Sequence, residues 1–295
     1  MSENLKGAFV TSLTVFTFAL NDALMKSILL DVPLYQAIFL RGLLVMPILG
    51  VLTWRFGQVV PNLAASDRTI ILQRSLLEAL LTFLFVTALA KLPLAVVVVI
   101  MQSAPLALTA CAAVFLKEHV GWRRWVATII GFFGILIIVQ PGTDGFDANI
   151  FFAIAAVVCL VVRDMLTRKM SPEVPPLFAV MWTAIATVVM AALFIPFTPW
   201  VALDASSYGL LFMACFTIIS AYLLSILMMR IGEIGFVSQF RYTGILWAVL
   251  LGVFLFDEYP DAATLFGATL IIATGIYSIS RERLKAGVTG QAGGD

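Results

Sequence analysis

Three observations predict an all-α integral membrane fold. The chain contains ten apolar stretches of about 20 residues, the length that crosses a bilayer core as a helix. Its composition is 62% hydrophobic and only 12% charged. Polar breaks separate the stretches at near-regular intervals. A water-soluble fold of this composition would expose more apolar surface than soluble chains carry.

The first span, Gly7 to Ile28, carries Asn21, Asp22 and Lys26, so it lacks the unbroken apolar core of a cleaved signal segment and is read as helix one. Leu34 to Phe56, Thr69 to Ala90, Pro93 to Leu116 and Gly121 to Gln140 follow, closed by the breaker run Gln140-Pro141-Gly142-Thr143-Asp144-Gly145. The second set is Asn149 to Thr167, Pro176 to Phe197, Ser206 to Met229, Glu233 to Phe256 and Asp261 to Ser280, with Phe197-Thr198-Pro199-Trp200 as a further break. Such short connections leave no room for a soluble domain and put any chemistry on the helices or their ends. The stretch 284–295 is Gly-rich and polar and reads as a mobile cytoplasmic tail.

Cytoplasmic loops are enriched in Lys and Arg, and of the 18 here most fall on one side if the N-terminus is inside. Lys6, Arg55, Arg68, Lys117, Arg123, Arg124, Arg168, Lys169, Arg230, Arg281, Arg283 and Lys285 are then cytoplasmic, against Lys26 and Lys91 outside. Both termini are expected inside. Trp54, Trp122, Trp125 and Trp200 lie near the predicted interfaces, where the amphipathic indole anchors helices. Cys111, Cys159 and Cys215 lie within spans without C-x-x-C spacing, so neither a zinc site nor a disulfide framework is suggested.

The two sets of five helices resemble each other. Asn21-Asp22-Ala23-Leu24-Met25-Lys26 is echoed by Arg163-Asp164-Met165-Leu166-Thr167-Arg168, and Val32-Pro33 by Val174-Pro175, at the same displacement of 142 positions. Phe115-Leu116-Lys117-Glu118 aligns with Leu255-Phe256-Asp257-Glu258, and Gly134-Ile135 with Gly275-Ile276. The repeated positions include charges and prolines that apolar composition alone would not reproduce. Five is odd, so the second repeat (149–283) enters the membrane inverted relative to the first (7–140), as in many secondary transporters.

Several of these residues resemble the drug/metabolite transporter superfamily, in particular its EamA-type ten-helix members. The resemblance rests on Ala88-Leu89-Ala90-Lys91-Leu92-Pro93-Leu94-Ala95, Ala104-Pro105-Leu106, Phe115-Leu116-Lys117-Glu118, Trp122-Arg123-Arg124-Trp125 and Gly131-Phe132-Phe133-Gly134. In the second half, Phe240-Arg241-Tyr242-Thr243 with Leu246-Trp247 and Phe256-Asp257-Glu258-Tyr259-Pro260 is similar to a subgroup containing bacterial S-adenosylmethionine and riboflavin uptake proteins. The resemblance implies a multi-pass protein of the bacterial inner membrane. It also implies a cavity formed by helices one, three, four, six, eight and nine, with five and ten as scaffold. The second half has one extra residue between Glu258 and Gly275, and no role is carried across it.

Asp22, Arg41, Arg74, Glu78, Arg163, Asp164 and Arg241 lie within spans, where each charge costs roughly 2.5–3.5 kcal/mol at a helix centre and needs a partner, water or a substrate. Arg241 lies near mid-span beside Gln239, Tyr242 and Thr243 and suits an anion, because its planar guanidinium grips a carboxylate or phosphate with two parallel bonds. The alternative for Arg241 is an internal bridge to Glu78 or Asp164. Arg74 and Glu78, four apart, share a face and can neutralise each other. Asp22 is the better proton-coupling candidate, with pairing to Lys26 or Arg41 as the alternative, while Asp164 beside Arg163 reads as an ion pair. Arg41 can snorkel to the interface. Gln102 and Ser103, before Pro105, mark a bend, and with Tyr242 and Thr243 they form the central candidate site. Tyr222, Trp182 and Trp247 offer stacking surfaces to a flat substrate.

These features favour a secondary transporter for a small organic solute. A phosphate-binding G-x-x-x-x-G-K-[ST] loop is absent from the sequence, so this chain supplies no ATP motor, and no cofactor, metal or nucleic-acid partner is implied. An intramembrane enzyme would need a clustered acid, base or metal, whereas the lone His119 sits in a loop. A channel would need a continuous polar lining rather than isolated midplane groups. Gly131-x-x-Gly134 and the Gly267 to Gly275 region permit close helix packing, within the chain or in a homodimer.

Overall fold

The computed structural model describes residues 3–58, 63–115, 121–141, 146–228, 231 and 238–291. Every regular element among the described residues is helical: α1 (Glu3–Asp31), α2 (Leu34–Arg55), α3 (Ala65–Lys91), α4 (Leu94–Met101), α5 (Ala104–Phe115), α6 (Trp122–Val139), α7 (Ile150–Arg168), α8 (Pro176–Phe194), α9 (Ala205–Met228), α10 (Thr243–Phe256) and α11 (Ala262–Gln291). Short 3-10 turns at Ile195–Phe197 and Ser238–Tyr242 extend α8 and lead into α10. Among the described residues eight helical runs are long and apolar enough to cross a membrane, with Leu94–Cys111 taken as one, and Trp125–Val139 and Ala262–Tyr277 are shorter apolar helices. The chain is a multi-pass membrane protein.

The helices begin and end where the sequence places breakers and caps. Pro33, Pro93 and Pro175 immediately precede α2, α4 and α8, where a residue without an N–H costs no intrahelical bond. Asp204 accepts the Ser207 N–H at 2.8 Å and Asp261 the Thr264 N–H at 2.7 Å, so each caps the orphan donors of the helix that follows. These bonds stabilise the carboxylates and hold both below the ordinary aspartate pKa: at Asp204 through the Ser207 amide and hydroxyl, at Asp261 through Thr264 first and the Gln140 amide second. At the other ends Gln140 and Asp257 adopt the left-handed conformation that reverses the chain after α6 and α10.

Two details differ from the expected spans. The predicted fourth span is two helices, α4 and α5, interrupted at Gln102–Ser103, and α11 continues as helix through Gln291 instead of ending at Ser280. His119, Lys117, Glu118, Arg230, Glu233 and the breaker residues 142–145 lie outside the described residues.

The chain forms two compact units, each drawing on both halves of the sequence. One contains residues 1–20, 93–150 and 220–295, and the other residues 21–92 and 151–219.

In the first unit α6 lies along α11, and α4 packs on α10. Glycines set the α6–α11 distance: a methyl group at Gly134 would stand 2.9 Å from the Gly267 carbonyl oxygen, and one at Gly267 would stand 2.5 Å from the Gly134 oxygen. The small-residue pattern noted in the sequence is thus used between helices of this chain.

In the second unit α8 packs against both α2 and α3. Val45, Leu49 and Cys215 form one buried cluster, and Leu63, Ile71, Val174 and Ala179 another. Side-chain amides and a carboxylate tie its connections. Gln36 is fully buried, donates to the Val201 carbonyl at 2.6 Å and accepts the Val201 N–H at 3.0 Å. Asp67 accepts the Ser171 N–H, and Gln58 the Leu177 N–H, each at 3.1 Å.

Candidate functional site

In the first unit the polar groups gather where the break between α4 and α5 faces the 3-10 turn that leads into α10. α4 runs through Val96-Val97-Val98-Val99-Ile100, a β-branched series of modest helix propensity. It stops when Ser103 bonds back on Ile100: both the Ser103 N–H, at 3.0 Å, and its hydroxyl, at 2.6 Å, donate to the Ile100 carbonyl. Pro105 then stands at the second position of α5, where its missing N–H is harmless. Opposite this break, the 3-10 turn Ser238–Tyr242 gives way to α10 at Thr243, whose hydroxyl donates to the Phe240 carbonyl at 2.6 Å. A hydrogen bond joins the break and the turn: the Gln102 side-chain amide donates to the Arg241 carbonyl at 2.8 Å.

The first turns of α10 also meet α1. Thr243 and Trp247 are four residues apart and share a face, as do Ser12 and Phe16 on α1. The Thr243 hydroxyl and the Trp247 indole N–H approach the Ser12 hydroxyl oxygen at 3.3 and 3.4 Å, and the Phe16 and Trp247 rings meet edge to face at 4.9 Å. Tyr222 makes a similar edge contact with Phe18, at 6.0 Å. The Arg241 side chain is exposed and makes no hydrogen bond or ion pair among the described residues. These contacts bring a side-chain amide, an indole and two hydroxyls together around the backbone of the Arg241 turn.

All eight sequence-predicted binding residues lie in this unit, in differing roles. Gln102, Arg241, Thr243 and Trp247 belong to the connected cluster, and Gln239 is adjacent in sequence. Ser103 is buried and its hydroxyl is occupied by the Ile100 carbonyl. Tyr242 is turned inward: its hydroxyl takes no hydrogen bond among the described residues and rests where a side chain at Gly275 of α11 would otherwise be. Tyr242 therefore fixes α10 to α11. Ser12 and Phe16 were not singled out from the sequence, because nothing distinguishes Ser12 from its neighbours Thr14 and Thr17. Those two bond back to the Val10 and Leu13 carbonyls of their own helix, at 2.7 and 2.8 Å.

The second unit holds the expected coupling and ion-pair residues. Arg163 of α7 donates to Glu78 of α3 at 2.6 Å and to the neighbouring Asp164. Arg74, one turn before Glu78, donates to the Thr167 hydroxyl at 3.0 Å and the Thr183 hydroxyl at 2.9 Å. The face shared by Arg74 and Glu78 thus reaches across to α7 and α8. Lys26 donates to the Leu92 carbonyl at 2.6 Å, at the end of α3 where a cation opposes the helix dipole. Asp22 takes the Asn21 amide at 3.3 Å. The Arg41 carbonyl lies 3.7 Å from the Cys215 thiol.

The sequence matches the profile of the EamA-like transporter family twice, over residues 5–140 and 148–281. An S-adenosylmethionine uptake transporter of Rickettsia conorii is 26% identical over 193 residues, 65% of each chain, so the match spans just under two thirds of that relative. A riboflavin transporter of Vibrio cholerae is 24% identical over 64% of this chain and 63% of its own. The pseudopaline exporter CntI of Pseudomonas aeruginosa is 23% identical over 94% of this chain and 96% of its own.

Proposed function

From the premise that the chain belongs to the EamA-like transporter family and is a transporter, not an enzyme, we propose that it takes up a small organic metabolite across the bacterial inner membrane by alternating access. The observation that carries this reading is Arg241, an exposed cation within a predicted membrane span, on a 3-10 turn bonded to the break between α4 and α5. A charge there is costly in hydrocarbon. A carboxylate on the substrate, as in S-adenosylmethionine, offsets that cost through two parallel bonds to the guanidinium, and the ring carbonyl oxygens of a neutral substrate such as riboflavin accept from the same donors. Trp247 and Phe16, packed edge to face, supply an apolar surface for a ring, and Gln102, Thr243 and Ser12 supply polar groups beside it.

The architecture behind this is ten membrane helices arranged as two inverted five-helix repeats, 7–140 and 149–283, with both termini cytoplasmic. The double family match supports the repeats, and the distribution of Lys and Arg supports the orientation. When the two halves exchange conformations, the same structure opens to the opposite side. Asp22 is the proton-coupling residue in this reading. Glu78 and Asp164 are held by Arg163, whereas Asp22 accepts only the Asn21 amide among the described residues.

S-adenosylmethionine and riboflavin are the compounds we assign as substrate types, on the names of the Rickettsia and Vibrio relatives. The Pseudomonas exporter supports a second reading, extrusion of an amino-acid-like metabolite through the same site. Uptake of each labelled compound into auxotrophic cells expressing the chain separates the two. Accumulation of one, abolished in a correctly inserted Arg241→Ala variant, is the expected result. Absence of uptake for both would remove the vitamin and cofactor reading and leave export.

A further inference from the structure

α4 is an eight-residue helix. Helices this short do not persist alone, and its β-branched series adds no intrinsic preference. Pro93 precedes it with no side chain able to cap, so its first N–H groups need an acceptor from elsewhere. That acceptor is Glu258, 164 positions further along: its carboxylate accepts the Leu94 N–H at 2.7 Å. Local backbone geometry aims it there. Asp257 adopts the left-handed conformation at the end of α10, and the Glu258 N–H then returns to the Gly252 carbonyl at 3.0 Å. This sets the Glu258 side chain beside Gly252, where a methyl group would already be in contact with it at 3.6 Å. The far end of α4 is Gln102, whose amide holds the Arg241 carbonyl. The two ends of α4 are therefore bonded to the two ends of the α10 segment, Leu94 to Glu258 and Gln102 to Arg241.

We propose that Glu258 is a positioning residue for the transport site: by capping α4 at Leu94 it fixes where Gln102 meets the Arg241 turn. It touches no substrate and acts through α4. The proposal rests on the reading of Arg241 and Gln102 as the substrate site. An anion at a helix N-terminus is doubly suited to this, since it satisfies the orphan amide and opposes the helix dipole.

The test compares Glu258→Ala, Glu258→Asp and Glu258→Gln in the full-length purified protein. Hydrogen–deuterium exchange of the peptide covering α4, which needs no substrate, is read beside uptake kinetics in proteoliposomes with labelled S-adenosylmethionine and riboflavin as probes. Removing the acceptor, or withdrawing it by one methylene in the Asp variant, should speed exchange across α4 by roughly tenfold, the effect of losing a helix-capping bond. The same variants should raise KM several-fold with Vmax little changed. Glu258→Gln keeps an acceptor oxygen at the same reach and should restore most of both. Wild-type exchange in the Asp variant, or accelerated exchange with unaltered KM, overturns the proposal. If Glu258→Ala fails to insert, the Asp and Gln pair still decides it. If wild-type protein carries neither probe, the substrate reading fails, while exchange still reports whether Glu258 holds α4.

Discussion

Arg163 bonds two carboxylates at once, Glu78 across helices and Asp164 beside it. Its side chain is 20% exposed and that of Glu78 16%, so removing the guanidinium strands a largely buried Glu78. Breaking such a pair from one side costs about 3–5 kcal/mol, most of it the uncompensated charge. Arg163→Ala should accordingly lower the apparent melting temperature of the detergent-purified protein by far more than Asp164→Asn, since the Asp164 side chain is 37% exposed and less buried than Glu78. Equal melting temperatures for the two variants would remove Arg163 from the structural role. The sequence displayed these charges and the face shared by Arg74 and Glu78. It did not display their partners, because pairing across helices depends on which helices pack, and Thr167 and Thr183 carry no periodicity that marks them.

Glycine placement divides the helices into those packed tightly and those with room. On α11, a methyl group at Gly267 meets the Gly134 carbonyl and Ile138, so backbone itself must move. Overpacking of this kind costs about 1–3 kcal/mol. On α9, a methyl group at Gly209 meets nothing within 4 Å, and Gly→Ala within a helix gains about 1 kcal/mol in propensity. Gly267→Ala should lower the unfolding midpoint and Gly209→Ala raise it, in the same detergent. Midpoints moving together would contradict the α6–α11 contact. The glycine pattern was visible in the sequence, but whether it served one chain or two was not, since small residues permit both. Most helix ends were legible because Pro93, Pro175, Asp204 and Asp261 are local signals. The interruption at Gln102–Ser103 was readable only as a bend before Pro105. Its cause is the Ser103 back-bond to Ile100, which a hydroxyl forms in many contexts without breaking a helix.

At the scale of the whole molecule, composition and span length were enough to identify a multi-pass membrane protein, because the bilayer restricts spanning segments in such chains to helices or closed barrels. Internal similarity of the two halves pointed to transport, and the family match over both halves agrees with transport as the function. Compact units that mix the halves could not be read from the sequence, since apolar spans give little sign of which neighbour they choose. In the proposed function the Arg241 neighbourhood holds the substrate. This is tested most directly by calorimetric affinity of purified wild-type and Arg241→Ala protein for whichever of S-adenosylmethionine and riboflavin the wild type takes up. A loss of at least about tenfold, or 1.4 kcal/mol, at an unchanged melting temperature is the predicted result; equal affinity in the two proteins would contradict it.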